Sequence, residues 1–128
     1  MTPLPADFLE ALAAHGELLV SSRDAGGIGS VPVWYTIAPT GAVYLFGFAH
    51  SRKALRWRDD PWVRLRIPGT DIAVEGVTHF VDGAELDAVA PLIVERWDMA
   101  GATTVEGLRR LVESGSHVVV RVEGSDAR

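Results

Sequence analysis

Val43-Tyr44-Leu45-Phe46-Gly47-Phe48-Ala49-His50-Ser51-Arg52-Lys53-Ala54-Leu55-Arg56 is a strand-like run that passes directly into a helical one. The aromatic and β-branched residues at 43–46 predict a strand. Ser51 stands where a helix N-cap belongs, and Asp60-Pro61 ends the helical pattern, so a helix is expected over 51–59. At the junction a hydroxyl (Ser51), two cations (Arg52 and Lys53) and a helix N-terminus converge, a combination that suits phosphate. Lys53 is the only lysine in 128 residues, against eleven arginines. A lysine kept where arginine is the default points to a compact, movable ammonium. The plain alternative is a solvated lysine beside a capping serine.

The flanks carry the same short-strand grammar. A helix over 4–14 presents Leu4, Phe8, Leu9 and Leu12 on one face and closes near Gly16. A strand over 17–23 leads into Asp24-Ala25-Gly26-Gly27, which has hairpin-turn chemistry. The return strand, about 28–38, contains Val31-Pro32-Val33-Trp34-Tyr35; Pro32 cannot donate to a ladder and belongs at an edge or bulge. Pro39-Thr40-Gly41 turns into the strand over 42–48. After the central helix, Trp62 to Ile67 alternates Trp62, Arg64 and Arg66 with Val63, Leu65 and Ile67. Pro68-Gly69 turns into a strand over 72–81. Leu86, Val89, Ala90, Ile93 and Trp97 are spaced for one helical face, with Pro91 expected to kink or delay that helix. Thr103 and Glu106 form a capping-box pattern before Leu108, Leu111 and Val112, and Gly115 is the stop. His117 to Val122 closes the chain's strands. The expected fold is mainly β with flanking helices: six antiparallel strands in a small barrel or sandwich, one domain over 1–128.

Composition narrows the function. Hydrophobic residues at 48% and charged residues at 23% describe an ordinary soluble globular protein. No cysteine is present, which removes disulfides, thiol nucleophiles and thiolate metal sites and fits a reducing cytoplasm. The N-terminus lacks a basic flank and a long apolar stretch, so no signal peptide is expected. Apolar runs are strand-sized, far below the roughly 20 residues a spanning helix needs. A net charge of −5 argues against nucleic acid as a partner. Residues 51–67 nevertheless hold six bases against Asp59 and Asp60, a local +4 on a chain that is −9 elsewhere. A small cationic island on an acidic protein suits one anionic ligand. Within it, Arg56 and Arg58 read as a solvated helix face, and Arg64 and Arg66 as the outer face of a strand.

Three elements, taken in order, make the segment from about Leu18 to Val81 resemble the FMN-binding split-barrel superfamily, typified by pyridoxamine 5'-phosphate oxidase. These are the strand Val31-Pro32-Val33-Trp34-Tyr35, the strand Val43-Tyr44-Leu45-Phe46 with its Ser51-Arg52-Lys53, and Leu55 through Asp60-Pro61 into the strand from Trp62. The pattern covers about half of the chain. The resemblance implies a six-stranded split β-barrel, a homodimer with a cofactor site at each subunit interface, and a flavin-dependent oxidoreductase acting on a small organic molecule. It further implies that Ser51, Arg52 and Lys53 hold the FMN phosphate. Val33, Trp34, Phe46 and Gly47 would lie along the isoalloxazine and ribityl parts. Some small proteins of this type use an 8-hydroxy-5-deazaflavin coenzyme instead, and others bind haem. Two departures are visible. Gly47 stands where threonine is common, and no tryptophan follows Trp97 to match the oxidase's C-terminal signature, so pyridoxine phosphate is not the expected substrate.

Other chemistries find no support. His15, His50, His79 and His117 are scattered, with no pair at i, i+4, so no metal site is expected; only His50, beside Ser51, is near the candidate ligand. No Gly-x-Ser-x-Gly elbow occurs. Gly26-Gly27-Ile28-Gly29 lacks the lysine of a phosphate loop. No catalytic acid or base is assigned, which fits hydride chemistry that resides in the cofactor.

Overall fold

The computed structural model describes residues 3–96 and 103–124. Its helices are α1 (Ala6–His15), α2 (Arg52–Asp59), α3 (Gly83–Arg96) and α4 (Val105–Glu113). Its strands are β1 (Leu19–Asp24), β2 (Gly27–Pro32), β3 (Trp34–Ile37), β4 (Val43–Phe48), β5 (Trp62–Arg66), β6 (Ala73–Phe80) and β7 (His117–Gly124). All seven strands form one antiparallel sheet in the order β2-β1-β5-β6-β7-β4-β3.

Seven strands replace the six expected, and the reason lies at Pro32-Val33. The run 28–38 reads as one strand, but its two halves have different partners. Leu19 pairs with Pro32 on β1, whereas Trp34 pairs with Phe46 on β4. Val33, between them, donates its N–H to the Leu18 carbonyl at 3.1 Å. Because β2 and β3 are the two edges of the sheet and one residue separates them, the sheet must curl until the end of β2 reaches the start of β3, without the two edges pairing along their length. Pro32, with no N–H to give, sits at that seam as a strand end.

Alternation along the strands divides the core. Val43 and Leu45 of β4, Val63 and Leu65 of β5, and Val118, Val120 and Val122 of β7 join Phe8 and Leu12 of α1 and Trp57 of α2 in one cluster. Tyr44, Phe46 and Val119 take part in a second, with Leu86, Val89, Ile93 and Leu108 of α3 and α4. Apolar partners on both faces explain why β4 reads as an unbroken apolar run. Gly76 of β6 has no freedom to carry a side chain, because a Cβ there would lie 2.6 Å from the Glu123 carbonyl oxygen.

The helices follow the sequence with two differences. Helix α3 runs from Gly83 through Pro91 without interruption, so the proline neither delays nor splits it. The cap of α4 is Thr104, whose hydroxyl accepts from the Gly107 N–H at 3.0 Å, and not Thr103. Glu106 instead pairs with Arg110 one turn on at 3.0 Å. Trp97, expected on the apolar face of α3, lies outside the described residues.

One polar network was not legible beforehand. Arg121 of β7 is ion-paired to Glu85 and Glu123, and the Tyr44 hydroxyl donates to Glu85 at 2.9 Å. Burial and the Glu85 hydrogen bond push the Tyr44 phenol up. These contacts tie the start of α3 to the outer face of β4 and β7.

Candidate functional site

Helix α2 is fixed from three sides. Ser51 caps it: its hydroxyl donates to the Phe48 carbonyl at 2.7 Å and accepts from the Ala54 N–H at 3.3 Å. Ala54 and Trp57 bury one face in the barrel. The opposite flank is held by the β1–β2 hairpin, where Asp24 takes Arg56 at 2.8 Å and Arg52 at 3.4 Å, and Arg23 takes Asp60 at 2.6 Å. The Arg56 hydrogen bond first, then the Gly26 N–H at 2.8 Å, hold the Asp24 carboxyl down at about 2. Arg56 is therefore a packed, paired residue and not the solvated one expected, with Gly29 leaving it room. Arg58 is exposed on its helix, as expected, and Arg64 and Arg66 are exposed on β5, as the alternation predicts.

Lys53 remains. It is half-buried, and among the described residues its ammonium has no hydrogen bond or ion pair. Burial alone pushes its pKa down. The side chain lies along the backbone of β4 at Gly47, where a Cβ would sit 3.0 Å from Lys53 Cε and 3.2 Å from Nζ. The glycine thus gives the lysine its bed.

This ammonium lines an open cavity of about 550 Å³ at the seam of the barrel. Val33, Trp34, Phe46, Gly47 and Lys53 all contribute to its wall. Ser51 and Arg52 do not, being engaged with the Phe48 carbonyl and Asp24. The remaining wall comes from the segment 16–19, Pro32, Tyr35, Phe48 and Pro68. Sequence reasoning missed that segment because long-range contacts bring it there, among them the Val33–Leu18 hydrogen bond and the Leu19–Pro32 pairing. Trp34 stacks on Phe46 with centroids 6.1 Å apart, and His117 stacks behind Phe46 at 5.4 Å. His117 meets Ser116 Oγ through Nδ1 at 2.7 Å, and burial lowers its pKa, favouring a neutral ring. His50 is exposed. Among the described residues no group of three histidine or acidic side chains could hold a metal.

An apolar slot with aromatic walls and one unpaired cation fits a planar aromatic ligand that carries negative charge. Comparison with solved structures gives the fold a name. A Listeria innocua protein provisionally assigned as a pyridoxamine 5'-phosphate oxidase superposes with a TM-score of 0.66 at 15% identity, over 95% of this chain and 94% of its own. The architecture is the split barrel. The haem storage protein HutZ of Vibrio cholerae matches with a TM-score of 0.63 at 12% identity, over 98% of this chain and 93% of its own. A FAD-binding protein of Mesorhizobium loti matches with a TM-score of 0.61 at 14% identity, over 96% of this chain and 90% of its own. No protein-family model and no curated protein matches the sequence. At such identities the likeness is one of split-barrel fold, which hosts oxidase, haem-storage and flavin-binding proteins alike.

Proposed function

We propose that this chain is a single-domain flavoprotein that binds FMN at the interface of a homodimer and serves hydride transfer to or from a small organic substrate. The observation that carries this reading is Lys53: a half-buried ammonium without a protein partner, facing an aromatic cavity. A half-buried cation without a protein counterion supports a ligand that brings one. The cavity would hold the isoalloxazine ring against Val33, Trp34 and Phe46. Lys53 would meet the phosphate, with Arg52 free to leave its long, exposed contact to Asp24 and join it. The hydride chemistry is the cofactor's own; the protein supplies the apolar wall, orientation and charge. With no cysteine in the sequence, a cytoplasmic setting is the natural one, and no described helix is long and apolar enough to cross a membrane.

A phosphate contact predicts discrimination. FMN binds far better than riboflavin, which has the same ring and no phosphate, and FMN affinity falls as salt rises. Fluorescence titration reads both; equal binding of the two ligands would remove the phosphate site. The likeness to a haem storage protein favours one second reading, a non-catalytic binder. The absorption spectrum of the purified protein separates flavin, 8-hydroxy-5-deazaflavin and haem by their bands.

The dimer is a separate expectation. Helices α3 and α4 cover β3, β4 and β7, but the edge strand β2 is open, with Ile28 61% and Val31 39% exposed. Pro32, at the end of this strand, lines the cavity. A second copy seated there would close the site and hide an edge that invites pairing. Light scattering behind a sizing column reads a dimer mass; a monomer with and without FMN would defeat the interface site.

A further inference from the structure

The cavity has a second charged wall residue. Glu17 lines it on the side opposite Lys53 across the seam: Val33 bonds to Leu18 on one flank, and its neighbour Trp34 pairs with Phe46, beside Gly47, on the other. Two strand spacings, about 10 Å, therefore separate the segment carrying Glu17 from the strand over which Lys53 lies. Like Lys53, Glu17 has no hydrogen bond or ion pair among the described residues. The two do not pair with each other, and the surfaces between them, Val33, Trp34 and Leu18, are apolar. A slot with an ammonium at one end, a carboxylate at the other and apolar surface between suits one ligand polarity, although Arg96 also reaches the Glu17 end, where it meets the Gly16 carbonyl and covers the Tyr35 ring. The ligand carries a negative group at one end and an N–H donor at the other, with a flat ring system between.

We propose that Glu17 is a specificity-determining residue whose carboxylate accepts the N–H at the far edge of the bound ring, so that the site selects planar ligands with an imide- or lactam-type N–H. This rests on the flavin reading above, in which the isoalloxazine N3–H is that donor. A carboxylate accepting an N–H forms a charge-assisted hydrogen bond. An N3-methylated ring offers no such proton and places a methyl group against the charge.

The test titrates FMN and 3-methyl-FMN into the wild-type protein and the Glu17→Ala variant, following flavin fluorescence. Glu17 is exposed, so the substitution leaves the fold intact. In the wild type, 3-methyl-FMN binds about tenfold more weakly than FMN; Glu17→Ala weakens FMN by about the same factor and leaves 3-methyl-FMN unchanged. Binding of FMN that ignores both the methyl group and the substitution overturns the role of Glu17 alone. Failure of the wild type to bind FMN at all overturns the flavin reading and this inference with it.

Discussion

If FMN is the ligand, replacing Lys53 with methionine is expected to lower its affinity by about 10- to 150-fold, the loss of a charge-assisted contact of about 1.5–3 kcal/mol. Methionine keeps an unbranched, flexible stem along Gly47 and removes only the ammonium. Because that ammonium has no protein partner among the described residues, no carboxylate is orphaned by the change. The sign for stability is opposite to the sign for binding. Burial lowers the pKa of Lys53 in the folded state, so at neutral pH the charged group disfavours folding, and stability rises only as pH climbs through the folded pKa. The apo variant should therefore be at least as stable as the wild type at neutral pH. Urea unfolding of the apo proteins and FMN titration together read both signs. A variant that loses affinity and stability in parallel has a damaged helix α2; one that binds FMN as tightly as the wild type shows that Lys53 does not touch the ligand.

Trp57→Ala has the largest expected effect on stability, about 3–5 kcal/mol against the 5–15 kcal/mol that holds a typical domain together. Trp57 is 2% exposed and is the largest fully buried side chain among the described residues. It lies one helical turn after Lys53, so it seats the helix that carries the ammonium. Its removal lowers FMN affinity indirectly. Trp57→Phe isolates a different contribution. The indole Nε1 is buried with no hydrogen-bond partner among the described residues, a penalty that phenylalanine removes while leaving a smaller void. The phenylalanine variant therefore costs markedly less than alanine, with FMN affinity close to wild type. Urea midpoints at constant slope give the comparison. An alanine variant within about 1 kcal/mol of wild type would mean that α2 is seated by its hairpin ion pairs instead.

Those ion pairs mark where sequence reading reached its limit. A lone lysine, a capping serine and a strand-to-helix junction are local features, set by residues within a few positions of one another. Local chemistry decided them, and Ser51 does cap α2. The alternation in β5 and the apolar faces of α1, α3 and α4 are equally local, since period 2 and period 3.6 are properties of the backbone itself. The basic island was legible too, but not its division. Arg52, Arg56 and Lys53 are neighbours on one short helix, and only the fold brings Asp24 to two of them.

By itself the sequence determined the mainly β, helix-flanked class, the order of its elements and the placing of one unusual lysine at a helix start. Tertiary structure alone decided that residues 28–38 are two strands at opposite edges of one sheet, because a change of hydrogen-bonding partner leaves no trace in local composition. The same decision built the cavity. Closing the sheet at Val33 carried Leu18 and Glu17 to one side of the seam and Gly47 with Lys53 to the other, residues about thirty positions apart that no spacing could connect. It also left Ser51 and Arg52 outside the wall, since a hydroxyl needed by its own helix turn and a guanidinium beside a carboxylate are satisfied where they stand.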